Sequence, residues 1–117
     1  MRTSDRKVNQ SLNKQIIKTF AQTVADLNNQ EEALLFLKDF LTPAELETFA
    51  KRLAIAYWLR KGRSYCNIEN NIKVSSATIA EVSSMMPSGG LKLGLKKIEA
   101  EEWANVWLER IRKIIKK

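Results

Sequence analysis

LTPAELETFAKRLAIAYWLRKG, residues 41–62, carries the strongest helix signals in the chain. Thr42 is a preferred N-cap residue, Pro43 suits the first helical position, and Glu45 stands where its carboxylate can reach back to the cap N–H. Gly62 then supplies the left-handed backbone that commonly ends a helix. The segment therefore predicts a long helix from Pro43 to about Lys61.

The second half of this helix is apolar on all sides. From Leu53 to Leu59 the sequence reads LAIAYWL, which leaves no face for water. A helix that is apolar all round is buried on every side. In a chain of 117 residues, that coverage needs a second chain, and we therefore expect a homodimer.

Further helices are predicted on both sides of the central one. Apolar residues recur at helical spacing over residues 8–27, and a short helix follows an N-cap at Asn28 or Asn29 and ends near Phe40. The last helix runs roughly over residues 93–115 and carries a stripe of Trp and aliphatic residues typical of an interface. Four Gly and two Pro favour long helices over a turn-rich β fold. We expect a single all-α domain.

Two short helical segments follow Gly62. SYCNIENNI (residues 64–72) and VSSATIAEVSSMM (residues 74–86) are separated by a turn around Lys73, with Ser75 as N-cap of the second. Because this turn lacks the usual glycine, Lys73 must adopt a left-handed backbone at some cost. PSGG at residues 87–90 then predicts a flexible loop. The internal contacts of a helix-turn-helix fall on Ile68, Ile72, Val74, Ile79 and Val82.

The charge of the chain is positive but unevenly distributed. Twenty basic and thirteen acidic residues give a net charge of +7, which suggests a polyanionic partner. Residues 62–86 carry two basic and two acidic residues, whereas residues 87–117 carry eight basic and four acidic ones. The basic cluster that closes the chain is typical of a solvated helix end as well as of a phosphate contact.

Several classes of protein are disfavoured by composition. With no His and a single cysteine, Cys66, the chain lacks the ligands of a typical zinc site and the partner for an intrachain disulfide. General acid–base groups are also few, so we expect neither an enzyme nor a cofactor. The N-terminus is polar, and the longest apolar run is far shorter than the ~20 residues of a membrane span. We expect a cytoplasmic protein without membrane contact.

LTPAELETFAKRLAIAYWLRKGRSY, followed by KVSSATIAEVS and SGGLKLGL, resembles the tryptophan repressor superfamily, more closely its YerC/YecD-type branch. The resemblance covers about residues 34–97. It implies an all-α fold of about six helices with a helix-turn-helix, an intertwined homodimer, and a role as a DNA-binding transcriptional regulator. Residues 1–41 are then dimerisation helices, residues 42–86 the central helix with the helix-turn-helix, and residues 91–117 a basic C-terminal helix within a single domain, 1–117.

The resemblance also implies a ligand pocket, which this sequence alters. Members that bind tryptophan hold it between two arginines, of which the first falls on Arg52 and the second position is Glu81. A carboxylate at Glu81 would repel that of the ligand, and Val82 stands where those repressors have glycine, so both differences argue against tryptophan binding of this kind. Two alternatives are open: Glu81 pairs with Arg52 and closes the pocket permanently, or, as we favour, both are surface charges.

The second helix of the motif lacks the side chains that read bases most specifically. Residues 75–86 contain no Lys, Arg, Asn or Gln. Hydroxyls and backbone amides at its start, together with basic residues nearby, would bind phosphate instead. We therefore expect salt-sensitive, weakly selective binding to double-stranded DNA. The DNA-binding candidates are Arg63, Asn67, Asn70, Ser75, Ser76, Thr78, Lys92, Lys96 and Lys97.

A protein-interaction or assembly module is the alternative function. In that interpretation a degraded helix-turn-helix no longer contacts DNA. The neutral charge of residues 62–86 favours it, as do Met85 and Met86, which we expect to be exposed and whose flexible side chains suit adaptable contacts.

Overall fold

Residues 6–115, without the side chain of Ile115, are described by a computed structural model. Six α-helices and no β-strand occur in this range, so the expected all-α class and helix number are confirmed. None of the described helices is long and apolar enough to cross a membrane. The chain divides into two compact units, with the boundary between Leu46 and Glu47. The helices are α1 (Gln10–Ala25), α2 (Gln30–Phe40), α3 (Pro43–Arg60), α4 (Tyr65–Ile72), α5 (Ser76–Met85) and α6 (Gly89–Ile115).

The first unit contains α1, α2 and the first turn of α3. Asn29 caps α2, since its side chain accepts a hydrogen bond from the backbone N–H of Glu32 at 2.9 Å. Phe40 packs against two other rings, with centroid distances of 5.5 Å to Phe20 of α1 and 5.0 Å to Phe36. Yet neither α1 nor α2 buries a single residue completely. The apolar stripe of α1 stays about half exposed: Leu12 50%, Ile16 50%, Phe20 48% and Val24 47%.

The capping box predicted at the start of α3 is present. Thr42 Oγ1 accepts from the N–H of Glu45 at 3.1 Å, and the N–H of Thr42 donates to Glu45 Oε1 at 2.9 Å. The backbone hydrogen bond from Thr42 and then its hydroxyl lower the pKa of Glu45 below its usual value, because both favour the carboxylate. The two residues therefore fix where α3 begins.

The second unit has a small core to which each of its helices contributes. Its six buried residues are Ile55 and Ala56 of α3, Ile68 of α4, Ile79 and Val82 of α5, and Leu95 of α6. Within the apolar run of α3, Tyr57, Trp58 and Leu59 pack around this core, whereas Leu53 is 43% exposed. The run is thus only partly covered by its own chain, and coverage by a second chain stays a prediction.

The start of α6 differs from the sequence-based expectation. PSGG was expected to form a flexible loop with a helix from about Leu93, but α6 begins at Gly89, and the carbonyl of Ser88 accepts from the N–H of Lys92 at 3.0 Å. The prediction was wrong because the local preference of glycine does not decide this helix start. Glycine disfavours a helix through the backbone entropy that it loses on folding. Here packing of Leu91 and Leu95 on the core outweighs that loss and holds the first turns of α6. Only residues 86–88 separate α5 from α6.

The C-terminal half of α6 presents an apolar stripe to solvent. Trp103 and Trp107 contact each other edge to face, with centroids 5.7 Å apart, and are 66% and 46% exposed. Val106, Ile111 and Ile114 extend the stripe and are at least 45% exposed. The stripe has the helical spacing expected of an interface. Its assignment to a dimer stays a prediction, and Lys116 and Lys117 of the terminal basic cluster lie outside the described residues.

Candidate nucleic-acid interface

Helices α4 and α5 pack as the two helices of a helix-turn-helix. Ile68 of α4 and Ile79 and Val82 of α5 are buried against α3 and α6, while Ile72 and Val74 pack at the edge of the same core. These are the contacts that the sequence pattern predicts, so the packing of the motif is confirmed. The core fixes the inner face of α5, and its outer face carries the exposed residues Ser76, Ala77, Ala80, Glu81 and Ser84.

The turn of the motif has the left-handed backbone predicted for Lys73. Its φ is 63° and its ψ is 56°, and it is the single non-glycine residue with positive φ in the described range. The N–H of Lys73 donates to the carbonyl of Glu69 at 3.0 Å, which closes the last turn of α4. The motif therefore keeps its geometry without glycine, at the expense of a strained residue.

Ser75 organises the N-terminus of α5. Its hydroxyl oxygen accepts from the N–H of Thr78 at 3.2 Å and lies 3.0 Å from Thr78 Oγ1. Ser76 and Ala77 are exposed, whereas Thr78 is half-buried. Backbone N–H groups in the first turn of a helix, at the positive end of its dipole, suit an anion such as a DNA phosphate. Of the three predicted residues, Ser75 and Thr78 are bonded to each other and Ser76 is open to solvent.

The structure brings Arg63 and Asn67, predicted separately, into direct contact. Arg63 Nη1 donates to Asn67 Oδ1 at 3.2 Å, and the guanidinium carbon lies 4.2 Å from the centroid of the Trp58 ring. Asn70 is on the same helix, where its Nδ2 lies 3.6 Å from Cys66 Sγ. The sequence analysis missed Trp58. The signal that could have found it is Gly62, because a glycine-ended helix often brings the residue after the glycine against the last turn.

The three predicted lysines lie on the solvent side of α6. Lys92, Lys96 and Lys97 are exposed, and none forms an ion pair within the described part of the chain. Leu91, Leu95 and Ile98 of the same turns face the core, which turns the lysines outward. By contrast, Lys61 at the end of α3 is paired with Glu102 at 3.4 Å, and Arg60 with Glu99. The α6 lysines are therefore available to an external anion.

A cavity of about 360 Å³ lies between α3 and the helix-turn-helix. Arg52 and Glu81 both contribute to its wall, but both are exposed and no ion pair joins them. Arg52 instead lies over the Phe49 ring, with its guanidinium carbon 5.5 Å from the centroid. This is the arrangement of the alternative we favour, in which both are surface charges. The other lining residues are Thr48, Lys51, Val74, Thr78, Val82 and Met85.

Two further features bear on the candidate functions. Met85 is 38% exposed, but Met86 packs against the core, so the expectation that both methionines are exposed was wrong for Met86. Met86 follows α5 directly and is drawn inward at the short connection to α6.

Among the described residues, no group of His, Cys, Asp and Glu side chains is arranged to hold a metal ion.

Comparisons with known proteins agree with this architecture. A family model described as Trp repressor protein matches residues 15–96. The uncharacterized protein YerC of Bacillus subtilis (strain 168) is 30% identical over 82 residues, which span 68% of this chain and 79% of that protein. The crystal structure of a TrpR like protein from Eubacterium eligens ATCC 27750 has a TM-score of 0.70 and 27% identity, and the match covers 78% of this chain and 96% of that one. The fold is Trp-repressor-like, and the chain belongs to the Trp repressor family.

Proposed function

We propose that the protein is a dimeric, repressor-like DNA-binding transcriptional regulator that binds double-stranded DNA with weak sequence selectivity and does not respond to tryptophan. The observation that carries this proposal is the helix-turn-helix itself. Its inner face is fixed by buried Ile68, Ile79 and Val82, and its outer face is left to solvent. The α6 lysines are also exposed and form no ion pair with any residue that the structure describes. A repressor role is taken from membership of the family and is an analogy from fold to function.

The exposed face of α5 supports phosphate binding more than base reading. It offers Ser76, Ala77 and Ala80, none of which presents the paired hydrogen-bonding groups that distinguish guanine or adenine. Alanine methyls are limited to apolar contact with thymine. Ser75 and Thr78 contribute hydroxyls at the positive helix end. Affinity then depends on Arg63, Asn67 and Asn70 of the preceding segment, and on Lys92, Lys96 and Lys97 of α6.

A homodimer accounts for the apolar surface that the chain leaves uncovered. The stripes of α1 and of the C-terminal half of α6 each contain several large apolar side chains that are about half exposed or more. Contiguous apolar surface on this scale is uncommon in a soluble monomer and marks an interaction surface. Two copies also give two helix-turn-helix motifs, which suits DNA with two half-sites.

Tryptophan is disfavoured as an effector by charge and by volume. The exposed Glu81 carboxylate stands in the wall of the cavity and repels a ligand carboxylate. Val82 is buried in the core, with 2% exposure, and also lines the cavity where a glycine would leave room for an indole. DNA binding should therefore be the same with and without free tryptophan.

The proposal is tested by titrating the purified protein with random-sequence duplex DNA over a salt series, with and without tryptophan. We expect a steep loss of affinity with salt and no effect of tryptophan. Each phosphate contact contributes about 0.9 to the slope of log K against log salt concentration. Replacing Lys92, Lys96 and Lys97 together by Ala should therefore lower the slope by about 2 to 3.

Lys61→Ala is the matched control, because Lys61 is already paired with Glu102. It should leave the slope unchanged. An unchanged slope in the triple variant would remove the α6 lysines from the interface, and no binding by the unmodified protein at low salt would refute DNA binding altogether.

A protein-interaction module is the second candidate function. Met85 is exposed on α5, whose outer face carries Glu81 and no basic side chain, and such a surface with a flexible apolar side chain suits a protein partner. Absence of DNA binding at low salt in a correctly folded dimer is the result that would favour this candidate over the first.

A further inference from the structure

The Arg63 side chain is held in place before any partner arrives. Its guanidinium carbon lies over the Trp58 ring, 4.2 Å from the ring centroid, and its Nη1 donates to Asn67 Oδ1 at 3.2 Å. An exposed arginine ordinarily samples many rotamers, so two simultaneous contacts on one guanidinium restrict it strongly. Arg63 differs in this respect from Lys92, Lys96 and Lys97, for which no such contact exists among the described residues.

The backbone at the end of α3 produces this contact. The N–H of Arg63 donates to the carbonyl of Trp58 at 3.1 Å, and the N–H of Gly62 donates to that of Leu59 at 3.0 Å. With Gly62 at φ 80°, this is the Schellman motif, in which the residue after the glycine lies against the last turn of the helix. That position usually holds an apolar residue. Here it holds an arginine, and the residue it meets is a tryptophan, the best aromatic partner for a cation.

Trp58 itself is anchored. It packs at the edge of the core around Ile55, Ile68 and Leu95, so its ring is a rigid surface rather than a mobile one. Arg63 precedes α4 and contacts the exposed Asn67 of that helix, so the arrangement links the core to the outer surface of the helix-turn-helix. The Arg63 guanidinium has five N–H groups, of which one donates to Asn67, so further donors remain for a partner.

We propose that Trp58 is a positioning residue that orients Arg63 and Asn67 toward a DNA phosphate. The inference rests on the proposed DNA-binding function and deepens it. Trp58 does not itself contact DNA in this account. It acts by ordering the Arg63 side chain in the free protein, so that Arg63 loses less conformational entropy on binding. A bidentate hydrogen-bonded contact of Arg63 with phosphate is then stronger.

The first test uses the free protein and is independent of DNA. The NMR signal of the Arg63 Nε–H group should be shifted upfield by the indole ring, and should show the relaxation of an ordered group in the unmodified protein. Trp58→Phe should largely keep both properties, whereas Trp58→Met, which preserves apolar volume without a ring, should abolish them. Tyr57→Met is the matched control, because Tyr57 lies under Lys61, at 5.3 Å, and not under Arg63.

The second test measures DNA affinity and its salt slope for the same variants. Arg63→Ala should weaken binding and lower the slope by about 1. Trp58→Met should weaken binding about two- to fivefold, the range expected from an exposed cation–π contact, without changing the slope, because the charge is still present. Trp58→Phe should weaken binding less than Trp58→Met, because the ring is kept but is a weaker partner for a cation, and Tyr57→Met should bind like the unmodified protein. In the Arg63→Ala background, Trp58→Met should have no further effect.

The outcomes separate this inference from the proposed function. An effect of Arg63→Ala with none of Trp58→Met, or an equal effect of Trp58→Met with and without Arg63, would overturn the positioning role and leave DNA binding intact. An Arg63 signal unaffected by Trp58→Met would do the same. Absence of DNA binding by the unmodified protein would overturn the proposed function and the positioning role with it.

Discussion

Replacing Lys73 by Gly should stabilise the protein. Lys73 has φ 63° and ψ 56°, a left-handed backbone that costs a residue with a Cβ atom about 1–2 kcal/mol. Glycine adopts it freely but loses about 0.5–1 kcal/mol more backbone entropy on folding. At the middle of these two ranges the net gain is about 0.75 kcal/mol in the free energy of unfolding. For a chain of 117 residues this corresponds to an increase in Tm of about 2–4 °C.

Urea unfolding at fixed protein concentration is the appropriate assay, because the stability of the proposed dimer would depend on concentration. Lys73→Ala serves as the control, since it removes the lysine charge but keeps the Cβ atom and therefore the strain. The glycine variant should exceed the alanine variant in stability, with equal m-values. The hydrogen bond from the N–H of residue 73 to the carbonyl of Glu69 is kept in both variants. Equal or lower stability of the glycine variant would refute the claim that the turn is strained.

Three other substitutions follow from contacts in the structure. Thr42→Ala should destabilise the protein by about 1 kcal/mol through loss of the α3 cap, as measured by urea unfolding. Because hydrogen bonds from Thr42 lower the pKa of Glu45, their contribution is present at neutral pH and is lost as pH falls through that lowered pKa. Thr42→Ala keeps the backbone N–H, which is the larger cause, so only the part of the stability difference that comes from the Thr42 hydroxyl should be lost in acid. An unchanged stability of Thr42→Ala at neutral pH would contradict the capping box. Glu81→Ala should lower neither stability nor DNA affinity, since no ion pair joins Glu81 to Arg52, and a loss of stability above about 1 kcal/mol would restore the closed-pocket alternative. Ile16→Glu, at a half-exposed position of the α1 stripe, should weaken dimerisation by about 2 kcal/mol per copy, measured by analytical ultracentrifugation. An unchanged dimer would exclude α1 from the interface.

Local signals predicted the fold best where backbone hydrogen bonding decides the structure. The cap at Asn29, the capping box of Thr42 and Glu45, and the N-cap Ser75 each satisfy N–H groups that a helix start leaves free. Positive φ at Gly62 and Lys73 likewise follows from sequence alone, since a chain that ends one helix and starts another within a few residues has few other conformations. These caps and turn conformations are determined by residues that are close in sequence and do not depend on tertiary contacts.

Tertiary packing explains what the sequence could not show. The glycines of PSGG indicate a loop locally, yet Leu91 and Leu95 hold the first turns of α6 on the core. Met86 is likewise drawn inward, although its flexible, polarisable side chain suggested an exposed contact residue. In both cases burial of apolar side chains outweighs the local preference of the backbone or side chain.

The candidate site was predictable as a set of residues but not as a set of contacts. Arg63 and Asn67 stand out by chemistry, whereas their mutual hydrogen bond and the Trp58 ring beneath the guanidinium depend on the turn at Gly62. In the same way, the family resemblance implies that Arg52 and Glu81 share a pocket wall and leaves two alternatives open, paired or unpaired; the structure shows them unpaired. Side-chain pairing depends on rotamers, which the spacing of residues leaves open.

The most direct test of the account is an NMR titration of the isotopically labelled protein with duplex DNA at low salt. Backbone signals should shift first at Ser76, Ala77 and Thr78 and around Lys92–Lys97, while those of α1 stay in place. Shifts confined to the basic end of α6 around Arg110–Lys113, or no shifts at saturating DNA, would contradict the claim that the helix-turn-helix is the DNA-binding surface.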